Sequence, residues 1–114
     1  MLYTCTEAFF DHVDQLKRAG KLTREEEKEL AQKMKDGDEE AKKALTESYL
    51  PFLAALLKRY ARTPSLDMVY KGIQVLQTSI ATFDFLHDSL SPNVTFVYFL
   101  SDKVRRAMTR YIMK

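Results

Sequence analysis

An apolar repeat in residues 66–83 is the feature that most constrains the fold of this chain. Its side chains recur at steps of three and four along the sequence, which places them on one stripe of an α-helix. Gly72 lies inside the repeat, at a cost of about 1 kcal/mol relative to alanine, so we expect a close packing partner or a functional role there. The repeat therefore predicts a core helix, and its members are Leu66, Val69, Ile73, Leu76, Ile80 and Phe83.

Capping signals predict two helices near the amino terminus. Thr4 and Glu7 have the spacing of a capping box, and Gly20 predicts the end of that helix. Thr23 and Glu26 repeat the spacing at the start of a second helix, whose first turn is acidic. Both segments carry apolar residues at helical intervals, so both helices are predicted to be amphipathic.

A third helix is predicted after Gly37, with Asp38 as its cap. Pro51 interrupts the apolar pattern of this helix. A proline inside a helix removes one hydrogen bond and clashes with the preceding turn. We therefore predict a kink or a break near Tyr49.

The remainder of the chain predicts a loop and a last helix. Residues 85–93 are rich in Asp, Ser, Pro and Asn, which favours a loop. Residues 94–100 are apolar enough to form a short strand on composition alone. The helical alternative has an apolar side made of Phe96, Leu100, Val104, Ala107, Met108 and Tyr111. The predicted fold is all-α, a compact bundle of five to six helices.

Composition bounds the size and the location of the protein. The chain has 114 residues, of which 46% are hydrophobic and 30% charged, as expected for a single helical domain over residues 1–114. No run of about 18 apolar residues could span a bilayer, and the amino terminus lacks a signal-peptide pattern. We therefore expect a cytoplasmic protein with no membrane partner. Cys5 is the only cysteine, which excludes an internal disulfide.

The residue types that usually carry catalysis are sparse. His12 and His87 are the only histidines and lie far apart in the sequence, whereas a zinc site needs three or four converging ligands. The chain has neither a glycine-rich phosphate loop nor a G-x-S-x-G nucleophile motif. We expect no metal, no cofactor and no enzymatic activity.

The distribution of charge favours binding to an anionic partner. Residues 1–50 carry nine basic and twelve acidic residues, a net charge of −3, whereas residues 51–114 carry nine basic and four acidic residues, a net charge of +5. Lys103, Arg106, Arg110 and Lys114 are spaced by three, four and four and share one helix face. Such a stripe can neutralise several phosphates, but it is also typical of a solvated helix surface.

Three aromatic residues, Phe96, Tyr98 and Phe99, precede this basic stripe. Aromatic side chains can stack on unpaired bases, at about 1–3 kcal/mol per base. Aromatic residues at helical spacing are also usual members of a core. From these residues alone, both interpretations stay open.

Five segments in collinear order resemble bacterial RNA polymerase sigma factors of the housekeeping class, over residues 22–112. They are LTREEEKELAQKMKDGDEEA, LLKRYAR, DMVYKG, the Phe-Asp pair at positions 83 and 84, and TFVYFLSDKVRRAMTRYI. The resemblance implies the core-binding and minus-ten-recognition helical domain, region two with the preceding short helices. Residues 1–20 would form an additional amino-terminal helix.

The family's known activity supplies the expected partners. In sigma factors this domain docks on the coiled coil of the polymerase clamp and captures the nontemplate strand of promoter DNA. An anti-sigma or other regulatory protein is a further expected partner. By resemblance, the polymerase-binding residues are Asp67, Tyr70, Lys71 and Gln74. The DNA-binding residues are Phe96, Tyr98, Phe99, Lys103, Arg105, Arg106, Arg110 and Lys114.

Two departures from the family pattern bear on function. Tyr70 and Lys71 stand where the family has a Gln-Glu pair, and Asp102 and Lys103 stand where it has two adjacent tryptophans that support the melted junction. Two functions therefore remain. One is a divergent sigma-factor-like transcription initiation protein or fragment, and the other is a sigma-like interaction module or transcription regulator that has lost promoter melting.

Overall fold

The computed structural model describes residues 3–83 and 92–112, with side chains from residue 96 onward in the last helix. These residues form five helices and no strand, which confirms the all-α prediction over this part of the chain. The helices are α1 (Thr6–Ala19), α2 (Arg24–Lys35), α3 (Glu39–Tyr60), α4 (Leu66–Thr82) and α5 (Pro92–Ile112).

Helix α3 is the centre of the bundle. It contacts each of the other four helices, and α4 packs against both α3 and α5. A helix in this position buries more than one stripe, because neighbours cover several of its sides. Its buried apolar residues accordingly include both Leu45 and Leu50, as well as Leu53 and Leu57. The core is thus built around α3, with α4 as its main neighbour.

The predicted helix starts are correct for α2 and α3. The backbone N–H of Thr23 donates to Glu26 Oε1 at 2.9 Å, and the N–H of Glu26 donates to Thr23 Oγ1 at 3.1 Å, which completes the capping box. Asp38 caps α3 by accepting from two backbone N–H groups of its first turn. Gly20 and Gly37 follow α1 and α2 with φ values of 90° and 95°, a backbone conformation that glycine adopts without steric cost.

The predicted capping box at Thr4 and Glu7 is wrong. Helix α1 begins one residue later, with Cys5 at the cap position and no side-chain hydrogen bond to the first turn. Of the predicted kink or break near Tyr49, the break is wrong, because α3 runs without interruption across Pro51. The proline removes one local hydrogen bond, whereas buried residues on both sides of it hold the helix in the core.

The last helix begins earlier than predicted. Pro92 and Asn93, which the composition places in the loop, are the first residues of α5, and the rest of the predicted loop lies outside the described residues. Proline is favoured at the first helical position, because its missing N–H would have no partner there. The alternative of a strand in residues 94–100 is wrong.

Gly72 marks the close contact between α3 and α4. A Cβ atom at this position would lie 3.1 Å from Leu57 Cδ2 and 3.3 Å from Leu53 Cδ1. Glycine inside the apolar repeat therefore allows the two helices to approach closely, which confirms the predicted packing partner.

Candidate functional site

The exposed side of α4 carries the four residues predicted to bind a protein partner. Asp67, Tyr70, Lys71 and Gln74 are all exposed and lie on the same side of the helix, opposite the buried repeat. Ser65 caps the helix by accepting a hydrogen bond from a backbone N–H of the first turn. The cap fixes where the helix begins, whereas the buried repeat fixes the side on which these four residues lie.

The amino-terminal segment reaches this surface through Tyr70. The Tyr70 hydroxyl donates to the backbone carbonyl of Tyr3, and the Tyr3 hydroxyl lies 2.6 Å from His12 Nδ1. His12 Nε2 lies 3.3 Å from Glu47 Oε2 on α3. Burial, with the negative charge of Glu47 as a smaller cause, raises the pKa of Tyr3 above its usual value. No sequence pattern predicted this network, since its residues come from three helices and the terminal segment.

The space beside this network is a cleft of about 670 Å³. Acidic, basic and apolar side chains all line it, among them Glu39, Lys42 and Ile73. No group of three or more potential metal ligands occurs among the described residues. The lining therefore carries charges of both signs, so the cleft favours neither a cationic nor an anionic ligand.

Phe96 does not belong to an exposed surface. Its side chain is 0% exposed, and its ring centroid lies 4.6 Å from that of Tyr49 and 5.1 Å from that of Phe83. In this conformation the ring is not available for stacking on a base. The helical periodicity placed Phe96 on the apolar side of α5, and this placement is correct.

The other two aromatic residues of α5 are accessible to different extents. Tyr98 is 73% exposed, whereas Phe99 is half-buried against Phe83 at 5.5 Å between ring centroids. Lys103 Nζ lies 5.3 Å from the centre of the Phe99 ring, a cation–π contact. Tyr98 and the Phe99–Lys103 pair therefore offer aromatic and positive groups on one segment of the helix.

Two of the predicted DNA-binding arginines are paired with Asp102. Its Oδ1 lies 2.8 Å from Arg105 Nη2, and its Oδ2 lies 3.2 Å from Arg106 Nε. The hydrogen bond from Arg105, with the positive charges of Arg106 and Lys103 as smaller causes, lowers the pKa of Asp102. Asp102 is therefore ionised at neutral pH.

The remaining members of the predicted basic stripe differ in how they are placed. Arg110 is exposed on α5, and Lys114 lies outside the described residues.

In the sequence, Asp102 stood out only as a replacement for a tryptophan. Its pairing could have been predicted, because positions three and four residues apart lie side by side on a helix.

A buried polar contact joins α2 to α3. The side chain of Glu27 is 5% exposed, and its Oε2 accepts a hydrogen bond of 2.8 Å from the Tyr49 hydroxyl. Burial raises the pKa of both groups, although the hydrogen bond from Tyr49 partly offsets this for Glu27. The sequence did not predict this pair, because Glu27 stands among exposed acidic residues.

The comparisons with known proteins identify the same relationship as the collinear segments. Residues 16–40, from the end of α1 to the start of α3, match the family model of sigma-70 factor region 1.2. The chain is 34% identical over 102 residues to RNA polymerase sigma factor SigA of Clostridium acetobutylicum. The chain is a divergent sigma-factor-like domain. The alignment covers 85% of this chain and 26% of that relative, and no solved structure matches.

The region that matches the family model contains two of the helix caps observed in this sigma-factor-like domain. Residues 16–40 contain the capping box of α2 and the Asp38 cap of α3, both of which the structure shows. None of the described helices combines the length and the apolar composition that a membrane span requires.

Glu27→Gln is expected to alter how the stability of the sigma-factor-like domain varies with pH. A carboxyl whose folded pKa is raised favours folding below its unfolded pKa and loses that contribution as pH rises through the folded pKa. The substituted glutamine does not titrate, and its amide oxygen can still accept from Tyr49. Thermal unfolding between pH 4 and pH 7 should therefore show the variant gaining stability relative to the wild type as pH rises.

Glu25→Gln is the matched control, since Glu25 is exposed on the same helix. It removes the same charge without removing a buried carboxyl. A pH dependence that is equal for the two variants would contradict a special role for burial of Glu27.

Proposed function

We propose that this chain is a transcription initiation protein, or a fragment of one, that binds core RNA polymerase and promoter DNA in the cytoplasm. The observation that carries the proposal is the similarity to RNA polymerase sigma factor SigA over 85% of this chain. The chain spans 26% of the length of that relative, so the proposal concerns only the activities of the matching part. Its mechanism is binding and strand capture, without covalent catalysis.

The polymerase-binding surface is the exposed side of α4. Asp67, Tyr70, Lys71 and Gln74 supply charged and polar groups there, while the opposite side of the helix is held in the core. A rigid helix that presents polar groups on one side is suited to docking on a coiled coil of the polymerase clamp. Polar groups at such a contact determine specificity more than they determine affinity.

The DNA-binding surface is on α5. Tyr98 and the Phe99–Lys103 pair can stack on unpaired bases of the nontemplate strand, and Arg105, Arg106 and Arg110 can contact its phosphates. Lys114 lies outside the described residues and belongs to the proposed set by its spacing in the sequence. Phe96 is left out of the binding surface because its ring is buried, and it supports α5 from inside.

The carboxylate of Asp102 favours a second candidate function, that of a sigma-like interaction module or regulator without promoter melting. Asp102 occupies a position where the resemblance places one of two tryptophans, and its carboxylate faces Arg105 and Arg106. A carboxylate repels phosphate and cannot stack on a base. Under this second function the α4 surface would serve a regulatory partner such as an anti-sigma protein.

The two functions are separated by binding to core RNA polymerase. We expect the protein to bind purified bacterial core polymerase, and also an isolated clamp coiled coil, in a pull-down and by biolayer interferometry. The double variant Asp67→Ala/Gln74→Ala removes two polar groups from the α4 surface. Its dissociation constant should rise by about tenfold, which corresponds to about 1.4 kcal/mol.

The double variant Asp14→Ala/Gln15→Ala is the control for this experiment, because both residues are exposed on α1 and the chemical changes are the same. Its affinity should equal that of the wild type. Equal weakening by the control would contradict the assignment to α4. A folded wild-type protein that binds neither target would favour the regulator function instead.

A further inference from the structure

We propose that Asp102 is an intramolecular competitor for phosphate, which holds Arg105 and Arg106 and lowers the affinity of α5 for any nucleic acid. The inference rests on the proposed function, since it concerns regulation of the same DNA-binding surface. It adds to that surface a residue that sets the strength of phosphate binding.

The geometry gives each carboxylate oxygen its own guanidinium group. Oδ1 lies 2.8 Å from Arg105 Nη2, and Oδ2 lies 3.2 Å from Arg106 Nε. These are the donors that a phosphate would use, because guanidinium groups bind carboxylates and phosphates in the same way. Asp102 thus forms ion pairs with two of the four basic side chains between positions 102 and 112.

The pairs are weak enough to be exchanged. The side chain of Asp102 is 41% exposed and both arginine side chains are 60% exposed, and exposed ion pairs of this kind contribute little stability. A phosphate can therefore take over the arginines. Asp102 then remains on the same turn of the helix, where its charge repels the incoming phosphate. The residue reduces binding without preventing it.

Asp102 weakens the contacts of α5 with phosphates and leaves the stacking contacts with bases unchanged. Among the described residues, no hydrogen bond, ion pair or ring contact joins Tyr98 or Phe99 to Asp102, and stacking does not depend directly on the charge of a carboxylate. Both single-stranded and duplex DNA offer phosphates, so a weaker phosphate contribution lowers the affinity for both by a similar factor. The preference for unpaired bases, which depends on stacking, should therefore stay unchanged.

Asp102→Asn tests the inference by fluorescence anisotropy. Labelled single-stranded and duplex DNA of random sequence are titrated with the full chain at several salt concentrations. The variant should bind both DNAs about three- to tenfold more tightly than the wild type, and the slope of log K against log salt should steepen by about 0.7–0.9. Circular dichroism verifies that the variant is folded.

Glu29→Gln is the matched control on α2. It also removes one negative charge, and it also releases a basic residue from an exposed pair, because Lys33 Nζ lies 3.6 Å from Glu29 Oε1. Its DNA affinity should match that of the wild type. A second control combines Asp102→Asn with Arg105→Gln and Arg106→Gln, which should abolish the gain.

The outcomes distinguish this inference from the proposed function. If the wild type binds DNA and Asp102→Asn binds with the same affinity and slope, the inference is overturned while DNA binding stands. An equal gain for Glu29→Gln also overturns it, because net charge alone would then explain the result. If neither the wild type nor Asp102→Asn binds any DNA, both the inference and DNA binding are overturned. Binding by the variant alone would support the inference.

Discussion

Phe96→Ala is expected to lower the free energy of unfolding by about 3–5 kcal/mol. The Phe96 side chain is fully buried and packs between Tyr49 of α3 and Phe83 at the end of α4, so its removal leaves a cavity where three elements meet. Neighbouring rings cannot collapse fully into such a space, because each is held by its own helix. Urea denaturation followed by circular dichroism measures the change.

Tyr98→Ala is the control, since Tyr98 lies two positions along the same helix and is mostly exposed. We expect a change within about 0.5 kcal/mol, as is usual for surface substitutions. The two variants together assign one aromatic residue to the core and the other to the surface. A loss for Tyr98→Ala as large as that for Phe96→Ala would contradict the assignment.

The helical periodicity predicted the core side of α5 but could not settle the use of its aromatic residues. Phe96 fitted the apolar stripe with Leu100 and Val104, and it also fell in the segment that the family uses for DNA. The structure follows the periodicity, because the ring fills space against α3 and α4. The periodicity separated Phe96 from Tyr98, but only the tertiary packing shows that the Phe96 ring is fully buried and not available for stacking on a base.

Local signals predicted the helix starts at α2 and α3 because caps are formed within a few residues. Thr23 and Glu26 need only each other, and Asp38 needs only the next turn. The polar contacts that cross between helices were not predictable in this way. Glu27 and Tyr49 are 22 residues apart, and the sequence contains no local feature that pairs them.

The candidate surfaces were predictable to different extents for a similar reason. The α4 side follows from the apolar repeat, because fixing the buried stripe also fixes the exposed residues between its members. The pairing of Asp102 with Arg105 and Arg106 needed only the local helix spacing. The contact of Tyr70 with the backbone of Tyr3 required the position of the terminal segment, which no local pattern supplies.

Leu76→Ala is expected to lower the free energy of unfolding by about 2–5 kcal/mol. Leu76 is fully buried in the middle of the apolar repeat, and α4 packs against both α3 and α5, so the cavity would open between the most extensively packed helices. Thermal and urea unfolding should both report the loss. An unchanged midpoint would mean that the repeat does not face the core.

Thr78→Ala provides the control within α4. Thr78 is exposed, and its hydroxyl donates to the backbone carbonyl of Gln74 at 3.0 Å, a local bond that does not favour the helix over other conformations. Its replacement by alanine should therefore leave stability unchanged or raise it slightly, since alanine has the higher helix propensity. A destabilisation confined to Leu76→Ala would show that α4 is held by its buried side. The exposed side is then free to be altered for binding without loss of the fold, which is the condition that the polymerase-binding experiment requires.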